Sequence, residues 1–296
     1  MKTLVTQVRN KILQNLYEVS LIRNPAEFAY QEALAKHMNH LPVLSTTERT
    51  IVETLNTEGV VITSLEELSL PSTPQMLQAA KNLMPKIPRV ETGDENEFVV
   101  HASSQQMMEN PEIFLWGLEE RLLNIAENYL GLPVAYHGSY FRRDLTNQVE
   151  RKSRLWHMDS EDRKLFKVII YLNDIDDYGG PFQYIPLDIT SEVVDTLGYK
   201  SGYIKDSTMQ QAISPASYKS CTGPSGTVVI AGTGSIFHRG KIPVASDRFA
   251  IFFDYTSRQP RLPFYCKSSL PIEDLHSLST KFSEHQKQCV FWRQKF

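Results

Sequence analysis

Cysteine is scarce in this chain. Cys221, Cys266 and Cys289 are widely spaced, odd in number and without a CxxC pair. That excludes a disulfide frame and a cysteine-rich zinc site, and fits ordinary thiols in a reducing compartment. Long apolar runs are missing as well. The opening MKTLVTQVRNKILQNLYEVS has no signal-peptide core, and nowhere do ~18 apolar residues follow one another, as a membrane span needs. Positive charge is not in excess: 31 Lys and Arg stand against 34 Asp and Glu, scattered rather than striped. A phosphate-neutralising surface is therefore absent, and a nucleic-acid role with it. Repeats, low-complexity tracts and a coiled-coil seam are not found. The expectation is a soluble, cytoplasmic protein whose partner is a small molecule, with oligomeric state open.

What is present is enough apolar residue, 41% of 296, to bury a large core. Leu4, Val8, Ile12 and Leu16 recur four apart and mark one face of a helix. PAEFAYQEALAKHMNHL repeats the pattern with Pro25 suited to a first turn, and STTERTIVETLNTEG offers Ser45 and Glu48 as a capping box and Gly59 as a stop. GVVITSL reads as a short strand, and residues 110–131 as one amphipathic helix. His101 reads as a surface or satisfied polar residue.

After Gly131 the texture changes. PVAYHGSYFRRD, LFKVIIYLND, GPFQYIP, GTVVIAGT and RFAIFFDYTS are short β-rich runs punctuated by Gly, Pro, Asn and Asp. Such runs predict an antiparallel sandwich or barrel rather than a parallel α/β sheet. The layout is a mainly helical region over 1–131, a β core over 132–260 with a polar, lid-like excursion near 190–220, and a C-terminal extension over 261–296 that ends in a helix.

RLWHMDSED, at 154–162, raises the chemical question. On a strand, residues i and i+2 point to one side, so His157 and Asp159 can converge on one ion. Two ligands hold a metal poorly. Among the remaining histidines only His238 sits in another β-rich stretch with a distinctive surround, GTVVIAGTGSIFHRGKIP. Two His and one carboxylate make the facial triad of non-haem Fe(II) oxygenases, which leaves three coordination positions open. Such a site needs an electron source. 2-Oxoglutarate is the common one, and its far carboxylate needs a planar cationic fork. Arg248, opening the next strand, fits that need. Arg239 follows His238 directly and points to the other side. Taken singly, HxD pairs arise by chance, a lone His is more often a core histidine, and Arg248 is more often salt-bridged, with Asp247 for instance. The combination is what carries weight.

With those residues assembled, the chain resembles the phytanoyl-CoA dioxygenase family of Fe(II)- and 2-oxoglutarate-dependent oxygenases. The likeness lies in WHMDSED, KVIIYLNDIDDYGGPFQYIP, GTVVIAGTGSIFHRG and the Arg248 strand, over roughly residues 136–257. The resemblance implies a double-stranded β-helix, a jelly-roll or cupin-like core with N-terminal helices. It also implies His157, Asp159 and His238 as iron ligands and Arg248 as anchor of the 2-oxoglutarate C5 carboxylate, with O₂ as co-reactant. One departure is IPLDIT where members often have IPGSH, which counts against an acyl-CoA substrate. Asp159 is present, which disfavours halogenation.

Weaker candidates surround these. Met158 and Lys167 are possible cosubstrate contacts, Lys167 being equally readable as a solvent-facing strand lysine. Tyr140, Arg142, Arg143 and Trp156 are candidate pocket residues, although paired arginines beside an acid are usually surface salt bridges. The expected activity is hydroxylation of an unactivated C–H bond in a small molecule, such as a tailoring step in natural-product biosynthesis, with release of succinate and CO₂. Desaturation, cyclisation or epimerisation begin with the same hydrogen abstraction. A non-catalytic binding member of the fold and a metal hydrolase on a cupin-like barrel are the rival classes.

Overall fold

The computed structural model describes residues 2–293. The N-terminal region supplies helices α1 (Lys2–Tyr17), α2 (Ser20–His37) and α3 (Thr46–Glu58), strand β1 (Val60–Ser64), α4 (Leu65–Leu68) and α5 (Thr73–Leu83). Strand β2 (Val99–His101) and helices α6 (Ser104–Met108), α7 (Glu112–Trp116) and α8 (Glu120–Leu130) follow. The capping box at α3 forms: Glu48 N donates to Ser45 Oγ and Ser45 N to Glu48 Oε2. Gly59, at φ +79°, ends the helix in the left-handed region open to glycine.

Two helical expectations change. The segment 110–131 is not one helix but α7 and α8, broken at Gly117. A Cβ there would lie 2.3 Å from Tyr136 Oη and 2.7 Å from Phe253, so the backbone is pressed against the sheet and the helix must step around it. The apolar stripe of α1 does not pack on the core. Val8, Ile12 and Leu16 face solvent, and the polar side packs inward instead, with Asn10 buried and Tyr265 Oη donating to Gln14 Oε1. The side chain of Leu4 lies outside the described residues.

The β core consists of β3 (Val134–Asp144), β4 (Phe166–Tyr171), β5 (Phe182–Tyr184), β6 (Lys219–Cys221), β7 (Thr227–Ala231), β8 (His238–Gly240) and β9 (Arg248–Ser257). One sheet has the order β1-β7-β4-β9-β3-β2, the other β6-β5-β8, with every pairing antiparallel. His157 joins the smaller sheet through a bridge to His238. From β3 onward the chain visits the large sheet, the small sheet at His157, the large at β4, the small at β5 and β6, then large, small, large. Eight segments wound alternately through two facing sheets are a double-stranded β-helix, as the sequence led us to expect.

Period-two alternation sorts the large sheet. Phe166, Val168 and Ile170 of β4 and Ile251, Phe253 and Tyr255 of β9 pack outward against Leu122, Leu123, Ala126 and Tyr129 of α8 and Trp116 of α7. The intervening residues face the space between the sheets. At its closed part that space is filled by Ile169, Tyr171, Ala250, Val229 and Phe182. Both faces of β4 and β9 are thus covered, which is why these strands read as near-continuous apolar runs. Polar residues interrupt the inward face at Tyr140, Arg142 and Asp144 of β3, Lys167 of β4, and Arg248 and Asp254 of β9. The excursion between β5 and β6 is a packed unit: α9 (Leu187–Leu197) and α10 (Asp206–Met209) share a small core of Trp156, Ile185, Val193, Met209 and Phe237. Helices α11 (Ile272–Leu278) and α12 (Glu284–Val290) close the chain over the outer face of the large sheet, and the three cysteines are free and buried. Residues 294–296 of the tail lie outside the described residues. Among those described, no helix is long and apolar enough to cross a membrane.

Candidate metal centre

The bridge between His157 and His238 places the two imidazoles side by side. His157 N donates to His238 O at 3.1 Å and His238 N to His157 O at 2.9 Å, and the ring centroids stand 4.2 Å apart. Asp159 N donates to Thr233 O at 3.0 Å, which fixes the carboxylate over the same spot. His157 Nε2 lies 3.7 Å from Asp159 Oδ1 and His238 Nε2 lies 3.8 Å from Asp159 Oδ2. One donor atom from each of the three lies within 4.8 Å of the others, the one such trio among the described residues.

The donor set fits a divalent ion. His157 Nδ1 is 2.9 Å from Leu155 O and His238 Nδ1 is 3.3 Å from Ile236 O. A carbonyl only accepts, so each Nδ1 carries the proton and each Nε2 turns a lone pair to the common point. Burial pushes the pKa of His157 down and that of His238 down to about 3, keeping both rings neutral. Burial alone would raise Asp159, but the Lys167 ammonium, 2.9 Å from its Oδ2, holds it well below the usual carboxylate range.

A cavity of about 200 Å³ opens beside the trio. Its walls include His157, His238, Lys167, Phe182, Phe252, Asp254 and Arg248. Arg248 is 2% exposed and is not paired with Asp247. Its Nε donates to Asp144 Oδ2 at 3.1 Å, its Nη2 is ion-paired with the same oxygen at 2.9 Å, and its Nη1 donates to Gly180 O. A guanidinium has five N–H bonds. Three are engaged, and what remains is one hydrogen on each Nη. Asp144 is fully buried; burial opposes its charge, but Arg142 and Arg248 hold its pKa far down.

The remaining candidates divide. Lys167 is not a solvent-facing lysine: its Nζ is 2.9 Å from Asp159 Oδ2 and 3.6 Å from Asp254 Oδ1. Tyr140 and Arg142 line the cavity. Arg143 does not; it turns the other way, to Asp247 and to Ile87 O. Trp156 is fully buried under the excursion, where its Nε1 donates to Asp206 Oδ1 and Arg239 lies 4.4 Å over its ring, so it is a packing residue and no pocket wall. Met158 faces a second, outer cavity of about 370 Å³ that it shares with His157, Asp159, Glu161 and Tyr203. His101, read from sequence as a satisfied polar residue, stands at the cavity wall beside Tyr140. Sequence reasoning also missed Asp144 as partner of Arg248, and Phe252 and Asp254 as cavity residues. The signal for the last two was present, because the alternation that turns Arg248 inward turns residues 252 and 254 inward too.

No family model matches the chain, and no curated protein matches it. Solved structures do. HygX from Streptomyces hygroscopicus, with nickel, 2-oxoglutarate and hygromycin B bound, is 12% identical over 71% of this chain and 87% of its own, with a TM-score of 0.47. EctD from S. alaskensis, with 2-oxoglutarate and 5-hydroxyectoine, is 16% identical over 73% and 77%, with a TM-score of 0.48. SnoK, a non-heme alpha ketoglutarate dependent carbocyclase from nogalamycin biosynthesis, is 16% identical over 73% and 88%, with a TM-score of 0.49. At these values the likenesses carry no weight for the reaction of this chain, which rests on its own side chains.

Proposed function

We propose that this chain is an Fe(II)- and 2-oxoglutarate-dependent oxygenase of the phytanoyl-CoA dioxygenase type that hydroxylates a C–H bond of a small molecule, the kind of step that tailors a natural product. The observation that carries the reading is that the trio of His157, Asp159 and His238 borders, through its two histidines, a cavity whose wall also holds Arg248. His157, His238 and Asp159 would hold the iron through two neutral Nε2 atoms and one carboxylate, leaving its other positions free. Iron held there with 2-oxoglutarate and O₂ would supply the oxidising power for hydrogen abstraction, with succinate and CO₂ as the cosubstrate's products.

The chain's own part is position, dryness and charge. Arg248, gripped along its Nε–Nη2 edge by Asp144, keeps its Nη1–Nη2 end for the C5 carboxylate, a bidentate geometry that lysine cannot copy. Tyr171 donates its hydroxyl to Cys221 O at 2.8 Å and accepts from Phe182 N at 2.9 Å, closing the sheets beneath that end. Phe182 and Phe252 give the cavity apolar walls that exclude water. Lys167 balances Asp159 and Asp254. The nearest experiment is cosubstrate turnover without substrate: purified protein with Fe(II), 2-oxoglutarate and O₂ should release succinate slowly, and Asp159→Ala should not. Equal release from both proteins would sink the reading.

A further inference from the structure

We propose that the substrate of this site carries an anionic group, a carboxylate or a phosphate, and that Arg142 grips it. The proposal deepens the oxygenase reading and rests on it for the identity of the bound molecule as substrate.

Arg142 lies inside the protein, with its side chain 11% exposed. Its Nε donates to Asp144 Oδ2 at 3.0 Å and its Nη2 to Asp144 Oδ1, while the guanidinium lies 4.6 Å over the Phe252 ring. Two of five N–H bonds are used. The other three, both on Nη1 and one on Nη2, meet no acceptor among the described residues. This is a rigid fork with its donors unsatisfied, held by one carboxylate and one aromatic face. These donors are left to face the cavity, where an anionic ligand would take them. A planar guanidinium takes a carboxylate or phosphate best.

Its location says which ligand. Arg142, His101 and Ser153 form a wall common to the metal cavity and to an outer mouth of about 480 Å³. Arg142 and Arg248 share Asp144, but Arg142 alone of the two also lines the outer mouth, so a molecule entering there meets Arg142 first. The rim repeats the theme. Arg151 and Lys152 line the mouth and form no ion pair among the described residues. Lys152 is held at φ +49°, a left-handed conformation costly for a side chain other than glycine or asparagine. The acids on the same rim face their own loop: Asp94 Oδ1 accepts from Asn96 N, and Glu97 accepts from Glu91 N and Thr92 N. The rim sets Arg142, Arg151 and Lys152 against Asp94 and Glu97, an excess of positive charge toward the incoming molecule. Arg143, its neighbour in sequence, is the contrast, with its donors on Asp247 and Ile87 O.

The test is calorimetric titration of protein loaded with Ni(II) and 2-oxoglutarate, so that Arg248 is already occupied. Sodium phosphate, sodium acetate and ethylammonium chloride are titrated at constant ionic strength. One of the two anions should saturate a single site, and which one does identifies the group. Arg142→Gln should weaken that binding at least tenfold and Arg143→Gln should leave it unchanged. Should Arg142→Gln fail to fold, the exposed double variant Arg151→Gln, Lys152→Gln should still weaken it at least threefold. Absence of a saturable anion, equal affinity in the variants, or tighter binding of ethylammonium overturns the proposal. Ni(II) and 2-oxoglutarate binding are read in the same samples. A protein that binds neither, yet keeps an Arg142-dependent anion site without metal, fails the oxygenase reading and retains the anion site.

Discussion

Lys167 Nζ stands 2.9 Å from Asp159 Oδ2, so the carboxylate of the candidate metal trio is also one arm of a buried ion pair whose second arm is Asp254, at 3.6 Å. Burial would lower the lysine's pKa, but the two carboxylates hold it up, and the ammonium stays charged. Removing the lysine leaves two partly buried carboxylates uncompensated, a change that costs about 1–3 kcal/mol, less than the loss of one partner of a fully buried pair. Lys167→Met should therefore lower the stability of the metal-free protein by an amount of that order. A divalent ion restores the missing positive charge. Ni(II) should raise the melting temperature of the variant more than that of the wild type, and an equal rise in both would show that Lys167 and the ion do not share Asp159.

Arg248→Ala should leave metal binding intact and weaken 2-oxoglutarate. Loss of one member of a buried, hydrogen-bonded charge pair costs about 2–5 kcal/mol, which is at least about 30-fold in Kd. Arg248→Lys should recover little of it, because an ammonium cannot engage Asp144 along one edge and a carboxylate along another. Calorimetric titration of the Ni(II) protein reads both numbers, and a lysine variant with wild-type affinity would remove the fork from the account.

Gly180 couples backbone to cosubstrate. It sits at φ +76°, its carbonyl accepts from Arg248 Nη1, and a Cβ would meet Lys241 O at 2.7 Å and Pro243 N at 2.8 Å. Gly180→Ala is strained by conformation and by contact with backbone that cannot swing away. It should destabilise the fold by more than about 1 kcal/mol, and in the folded fraction it should weaken 2-oxoglutarate by shifting Arg248. Urea denaturation and cosubstrate titration check the two halves separately.

The legible part of this molecule was the part written in period two. The apolar β4 and β9 runs and Arg248 opening β9 follow from alternation, so the sheet core could be found before any coordinates; the HxD pair lies on no strand, His157 making an isolated bridge and Asp159 standing outside it. What could not be found depends on pairing across sequence. Asp144 lies opposite Arg248 in the β3–β9 register, and nothing local to SYFRRD distinguishes the buried Arg142–Asp144 pair from the outward Arg143 beside it. Trp156 was placed by the small core of the excursion, a tertiary contact invisible in RLWHMD. The stripe of α1 misled because helical spacing gives a face but not its direction: Val8, Ile12 and Leu16 form the face and solvent receives it. Gly117 broke a helix that the apolar pattern carries straight through, because close approach to Tyr136 and Phe253 overrides propensity there.

Stability should fall on acidification below neutrality in the metal-free protein. Burial pushes His137 and His238 each down to about 3, and His157 in the same direction. In the unfolded chain these rings take up protons near pH 6.5. Between that pH and the folded values the unfolded state binds more protons, so the contribution is present above about pH 6.5 and is lost as pH falls towards 3. His285 acts in the opposite sense. Raised to about 9 through its contacts with Cys289 and Glu120, it adds stability that is full below about pH 6.5 and lost as pH rises through 9. The urea midpoint should therefore be lower at about pH 5 than at about pH 7; a midpoint that rises on acidification would mean the buried rings are charged in the native state.

The most direct test of the central claim is anaerobic titration of the metal-free protein with Fe(II) and then 2-oxoglutarate, followed by visible absorption. A keto acid chelating Fe(II) in such a site gives a weak metal-to-ligand charge-transfer band. We expect the band in the wild type, its loss in His157→Ala, and its appearance only at much higher 2-oxoglutarate in Arg248→Ala. Saturating iron and 2-oxoglutarate with no band and no mutual binding would contradict the assignment of His157, Asp159, His238 and Arg248 to one working site.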